Sequence, residues 1–235
     1  MEEQDIEELL NIFKNKQFEF KQFLSGVLTF FEEHPMLNQK EHPIIHSTKS
    51  RMKDVEHLKD KLNRKKAKGK IITSDSLFSE ITDLIGIRVL HLYQEQFKEI
   101  HKAIMQKVDD GDWKFYEAPT ALTWDPESKD FFENLGIKTE VRDTYYTSIH
   151  YIVEPNNPKA FVRCEIQVRT LFEEIWGEID HTINYPHPTE SIACREQLRV
   201  LTKLVSTGTR LADSIFKSQE EFLTKNDPAP RIRVK

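Results

Sequence analysis

The sequence predicts an α+β or mixed α/β core flanked by long helical arms. Three observations carry that reading. A helical apolar period runs over residues 2–33, short strands alternate with helices from about residue 76 to 181, and a second long helical period follows residue 189. The 235 residues suffice for one large domain with helical extensions. The expected division is an N-terminal amphipathic helix over 1–35, a core over 36–188, a C-terminal helix over 189–225 and a disordered tail over 226–235.

The first helix rests on Ile6, Leu9, Leu10, Phe13, Phe20, Phe23, Leu24, Val27, Leu28 and Phe31, spaced by three, four or seven residues, and on His34-Pro35, which ends it. Residues 36–50 read as a Pro- and His-containing connection. The segment 53–66 reads as a second helix that stops near Gly69, and Ser76–Ile81 as a short one. GIRVLHL (86–92) is a strand. Residues 94–107 form a helix with Phe97, Ile100, Ile104 and Val108 on one face, and WKFYEA (113–118) is a short strand. Residues 119–144, punctuated by Asp125-Pro126 and Gly136, are the least regular part. Tyr146–Val153 is a strand, followed by the turn Pro155-Asn156-Asn157-Pro158. In FVRCEIQVRTLFEEIWGEIDH (161–181) a strand passes into a helix. Thr189 is placed to cap the last helix. The long arms are able either to mediate oligomers or to pack on their own core.

Hydrophobic residues make up 38% of the chain and charged residues 31%, a composition of a folded, highly charged protein. No apolar run approaches the roughly 20 residues that span a bilayer, so no membrane partner is expected. The start, MEEQDIEELL, lacks the basic region of a signal peptide, and a cytoplasmic location is expected. Cys164 and Cys194 form no CxxC, and both are expected reduced and buried. Pro43 between His42 and His46 argues against helical metal ligation by that pair. Net charge is −5, yet residues 49–70 hold ten Lys/Arg against three Asp/Glu. A basic segment in an acidic protein suits a polyanion such as a nucleotide or RNA.

Chemistry is expected first on the 161–169 strand. Val162, Cys164, Ile166 and Val168 face one way; Arg163, Glu165, Gln167 and Arg169 face the other. Charges are costly to bury unpaired, so that second face needs solvent or a charged ligand. The same argument singles out Arg88, which interrupts an apolar strand directly after Asp83 and Gly86. There is no GxxxxGK and no GxGxxG, so any phosphates must be held by side-chain cations, for which Arg51, Lys53, Lys61 and Arg64 are placed. On one helix, Lys53, Lys61 and Arg64 would share roughly one face. Strand alternation puts Tyr146, Ser148 and His150 together, an aromatic platform beside hydrogen-bonding groups. Two carboxylates, several cations and an aromatic stack are the inventory of magnesium-assisted phosphoryl or pyrophosphoryl transfer.

Four blocks in order, RMK with the following KLNRK, DLIGIRV, YTSIH, and EIQVRT with WGEIDH and NY, resemble the RelA/SpoT alarmone synthetase family. They span roughly residues 51–185. The resemblance implies a small stand-alone GTP pyrophosphokinase that moves the β,γ-pyrophosphate of ATP to the 3′-hydroxyl of GDP or GTP. It implies a mixed β-sheet of the nucleotidyltransferase-like synthetase type within 36–188. Carried over residue by residue, Arg51 and Arg88 sandwich the adenine, and Lys53, Lys61 and Arg64 hold the ATP phosphates. Asp83 and Glu165 bind Mg²⁺ (or Mn²⁺), and Glu165 also serves as general base. Tyr146 stacks on the acceptor base, His150, Gln167 and Arg169 line the site, and His181 supports it from the following helix. Small members of the family are commonly tetramers, which gives the terminal helices a role.

The chain departs from the family's Gly-Tyr-Arg-Ser, having Tyr145-Tyr146-Thr147-Ser148, and from its Tyr-Lys, having Tyr185-Pro186. Both changes fall on the acceptor side. Adenine nucleotides and the tRNA 3′ end, used by toxin-like relatives, are therefore the alternative acceptors, ranked behind guanine nucleotides. A non-catalytic RNA-binding module is the remaining alternative, and it would need neither Asp83 nor Glu165.

Overall fold

A computed structural model describes residues 3–142, 145–185 and 187–226. The expected tail over 226–235 lies outside the described residues except for the backbone of Asn226. Helix α1 (Glu3–Glu33) is followed by strand β1 (Ser47–Met52), α2 (Val55–Ala67), α3 (Leu77–Glu80) and β2 (Ile85–His91). Then come α4 (Phe97–Asp109), β3 (Trp113–Thr123), α5 (Pro126–Asn134), β4 (Lys138–Val141), β5 (Ser148–Pro155), β6 (Cys164–Thr170), α6 (Leu171–Asn184) and α7 (Ile192–Asn226). The strands form one mixed sheet in the order β1-β2-β6-β5-β3-β4. β2 runs parallel to β6, and β6 antiparallel to β5.

Period-two alternation divides the central strands. Ile85, Ile87 and Val89 lie beside Cys164, Ile166 and Val168, which lie beside Val153, Tyr151 and Ile149. This face is buried. α1 packs against β1, β2 and β6, and α4 against β3. The His101 ring of α4 hydrogen-bonds the Tyr151 hydroxyl at 2.8 Å, which satisfies a phenol deep in the core. α1 spends its apolar stripe here: Ile6, Leu9, Leu10, Phe13, Phe20, Val27 and Phe31 are buried in the same cluster as the sheet. Phe20 meets Phe13, Phe78 and Phe161 at ring-centroid separations of 5.3–6.0 Å.

Several boundaries differ from expectation, each for a local reason. β1 (STKSRM) begins inside the connection expected over 36–50. It is an edge strand whose Lys49, Ser50 and Arg51 stay exposed, so no apolar alternation marks it. β4 is the opposite edge and is silent in the same way. β3 runs on to Thr123, past register shifts around Glu117 that accommodate Pro119. Asp125-Pro126 does not break structure but starts α5: Asp125 accepts from the Ser128 backbone N–H, and Pro126 sits at the first turn, where it needs no amide hydrogen. Ser191, not Thr189, caps α7 by accepting from Cys194 N–H at 3.3 Å. β5 begins at Ser148, and Arg163 precedes β6. Cys164 is buried, whereas Cys194 is only half-buried; both are free. Among the described residues no helix is long and apolar enough to cross a membrane.

If α1 is part of the core, Phe20→Ala should cost about 3–5 kcal/mol of unfolding free energy. Urea denaturation followed by circular dichroism measures it; a cost near zero would detach α1 from the core.

Candidate active site

The second face of the same strands gathers the polar residues. Across β1, β2, β6 and β5, Lys49 lies opposite Arg88, Arg88 beside Gln167, and Gln167 opposite His150. One step along, Arg51 lies opposite Gly86, which lies beside Glu165. Arg51 and Arg88 are thus diagonal neighbours on adjacent strands, within reach of one planar group. A Cβ at Gly86 would stand 3.3 Å from the Glu165 carbonyl oxygen and 3.9 Å from its carboxylate, so the glycine keeps a hollow beside Glu165.

Glu165 is half-buried. Its Oε1 lies 3.3 Å from His150 Nδ1, and its Oε2 accepts from Gln167 Nε2 at 2.9 Å. Burial pushes its pKa up, but the His150 hydrogen bond and charge outweigh this and hold it below the usual glutamate value. Asp83, in the turn before β2, pairs with Lys61 at 2.6 Å and Lys53 at 3.2 Å. Desolvation raises its pKa too, and the two lysines bring it below normal. Lys53 is drawn below the usual lysine value by burial, against the opposing pull of Asp83.

The cations come together differently from expectation. Lys53 is not on a helix with Lys61 and Arg64, because Asp54 caps α2 and Lys53 precedes the cap. Its backbone N–H donates to Leu84 O at 2.8 Å, which swings its side chain to Asp83, where Lys61 arrives from α2. Arg64 is exposed one turn further along α2, and Arg51 is exposed on β1.

Tyr146 precedes β5 yet stays on the polar face. Its hydroxyl lies 3.5 Å from His150 Nε2 and accepts from Arg169 Nη1 at 3.5 Å. Tyr145 takes φ 60° where the family has glycine. That conformation costs a non-glycine residue about 1–2 kcal/mol, which the edge-on packing of its ring on Trp124 at 5.5 Å helps offset. Thr147, at the family's arginine position, is buried against the Thr123 hydroxyl at 3.1 Å. Arg169 is only 3% exposed and pairs with Glu174 at 2.6 Å. Arg163 belongs elsewhere: it pairs with Glu154 and covers the Tyr116 ring. His181 is exposed on α6, stacked on Tyr185 at 4.6 Å.

Sequence reasoning missed Lys49, Glu174 and Glu178. Glu174, Glu178 and His181 are spaced by four and three residues, which is one helical face, and that spacing was the available signal. α6 lays this face over β2 and β6, where Arg88 meets Glu174 at 3.2 Å and Glu178 at 2.5 Å. Among the described residues no group of three or more His, Cys, Asp or Glu side chains is gathered to hold a metal ion by itself. Asp83 is close enough to the Glu165 carboxylate to push its pKa upward.

A half-buried, ionised carboxylate flanked by a second one, by cations and by an aromatic ring is the site of a protein that handles phosphorylated ligands. The region found in RelA / SpoT proteins matches residues 50–190, and the chain belongs to this family. It is 26% identical to GTP pyrophosphokinase YwaC of Bacillus subtilis over 189 residues, which is 77% of this chain and 79% of the relative. The crystal structure of small alarmone synthetase 1 from Bacillus subtilis has the same fold at a TM-score of 0.68 and 18% identity, covering 89% of this chain and 99% of the other. The same synthetase bound to its product pppGpp superposes at 0.62 and 19% identity, covering 88% and 98%.

Because His150 is what holds Glu165 acidic, His150→Ala should move the Glu165 titration to higher pH. A ¹³C NMR titration of the glutamate carboxyls measures this; an unmoved Glu165 signal would refute the arrangement.

Proposed function

We propose that the chain is a GTP pyrophosphokinase that transfers the β,γ-pyrophosphate of ATP to the 3′-hydroxyl of GDP or GTP. The observation that carries the reading is the single polar sheet face, with Asp83 and Glu165 at a hollow kept open by Gly86, cations toward the β1 edge and Tyr146 toward β5. Arg51 and Arg88 hold the donor base, and Lys53, Lys61 and Arg64 hold its phosphates. Tyr146 stacks on the acceptor base beside His150 and Gln167. His181 supports the site from α6.

Asp83 and Glu165 are the side chains that would hold Mg²⁺ (or Mn²⁺), and two carboxylates with substrate phosphates completing the shell are the donor set this ion takes. When bound, the ion neutralises charge on the phosphate oxygens. Glu165, kept ionised by His150, accepts the proton of the 3′-hydroxyl. The 3′-oxygen bonds to the β-phosphorus, the bond between that phosphorus and the α,β-bridging oxygen breaks, and AMP leaves with the electron pair. Lys53 and Lys61 exchange Asp83 for the phosphates.

The homo-oligomer is proposed on a separate observation. Ile175 and Ile179 of α6 and Val200, Leu204, Leu211 and Ile215 of α7 are exposed. Apolar area of that kind on two adjacent helices suits a second copy, in a tetramer. The free cysteines Cys164 and Cys194 fit the proposed cytoplasmic location.

Labelled ATP offered to the protein with Mg²⁺ and a mixture of GDP, GTP, ADP and tRNA tests the activity. AMP release with label in the guanine products is expected; label confined to tRNA or adenine products would overturn the acceptor assignment. Glu165→Gln should lower the rate by about 10²–10⁴ while ATP binding, followed by calorimetry, persists.

A further inference from the structure

Among the described residues, Glu174 is the carboxylate of the polar face with the most cationic partners. It is buried, and it pairs with Lys49 at 2.8 Å, Arg88 at 3.2 Å and Arg169 at 2.6 Å. These three cations come from β1, β2 and β6, and Glu174 reaches them from the first turn of α6. Thr170 and Glu173 fix that turn reciprocally: Thr170 N–H donates to the Glu173 carboxylate at 2.7 Å, and Glu173 N–H to the Thr170 hydroxyl at 3.3 Å.

The two arginines lead in different directions. Arg88, diagonal to Arg51 across β1 and β2, belongs to the proposed donor side and shares Glu178 with Lys49. Arg169 reaches the acceptor side, donating to the Tyr146 hydroxyl at 3.5 Å with its guanidinium 5.6 Å from the ring centroid. Gly177 makes room for it: a Cβ there would stand 2.9 Å from Arg169 Nη1. α6 therefore closes on Arg169 without displacing it. Arg169 is itself too buried to meet a nucleotide directly, so it acts through Tyr146.

We propose that Glu174 is a positioning residue that holds Arg88 and Arg169 from one buried carboxylate, so that the donor and acceptor subsites depend on a single anchor. This rests on the functional reading above for the assignment of the two sides. The anchor must be charged, because a neutral amide of the same shape cannot neutralise the buried guanidinium of Arg169 or the half-buried one of Arg88. Glu178 is the one-sided counterpart, since it touches Arg88 and Lys49 but not Arg169. Gly177 is one-sided in the other direction, since its open space borders Arg169.

Three variants separate the sides in steady-state kinetics. Glu174→Gln should raise the KM for ATP and the KM for the guanine nucleotide, each by roughly tenfold, the margin between a charge-assisted and a neutral hydrogen bond. Glu178→Gln should raise only the ATP value, and Gly177→Ala only the guanine value. Folded Glu174→Gln with one or neither KM changed would overturn the proposal. If that variant does not fold, the other two decide: changes confined to the expected side support the anchor, and changes on both sides or neither overturn it. Arginine Nε–H signals in ¹⁵N NMR provide a readout without turnover. Those of Arg88 and Arg169 should both move in Glu174→Gln, and that of Arg88 alone in Glu178→Gln. Should the wild-type protein release no AMP with any acceptor, the functional reading falls, while the NMR pattern still supports or overturns the anchor.

Discussion

The parallel pairing of β2 with β6, which sets Gly86 beside Glu165 and Arg88 beside Gln167, is the constraint on which the site depends. Side chains alternate along a strand, so a slip of one residue would turn Glu165 and Gln167 into the apolar core and bring Cys164 and Ile166 out. The buried face prevents that slip. Ile85, Ile87 and Val89 match Cys164, Ile166 and Val168 one for one beneath α1, and burying them is worth far more than any polar contact on the other side. The polar face is held in register by residues that take no part in it.

On the polar face, charge is arranged so that neighbouring elements neutralise one another. Asp83 takes Lys53 and Lys61, Glu165 takes His150, and Glu174 takes Lys49, Arg88 and Arg169. For each of these carboxylates desolvation is the largest influence on acidity, yet each is held below the ordinary range by its partners. They stay ionised because these partners stay close. A buried charge that loses its partner is strongly destabilising, so stability and site geometry are set by the same pairs. The exposed ends of the array, Arg51 and Arg64, remain at the solvent boundary.

The two long helices have opposite fates despite similar periodicity. α1 buries its stripe against the sheet of its own chain, with Phe13, Val27 and Phe31 fully buried. α7 leaves Val200, Leu204, Leu211 and Ile215 exposed while Leu198 and Val205 face inward. Helical period alone identifies an apolar stripe but not what covers it. That depends on which surface lies opposite, which is a tertiary matter.

The amino-acid sequence by itself determined the local elements with strong patterns: α1, the apolar strands β2 and β6, the turn into α6, and the polar residues Glu165, Gln167 and Arg88 that interrupt apolar strands. Those were legible because burying an unpaired charge is costly, so each such residue announces a partner. The edge strands β1 and β4 were silent, because their side chains remain in water and carry no pattern. The start of α5 was misread because Asp-Pro serves both turns and helix caps. Only the tertiary structure decided that Lys53 and Lys61 converge on Asp83 from separate elements, and that Glu174 is buried against Lys49, Arg88 and Arg169 rather than on a solvated helix face. Both outcomes depend on how β1, α2 and α6 pack across the sheet. Such contacts join residues up to 125 positions apart, as Lys49 and Glu174 are, and no local spacing encodes that distance.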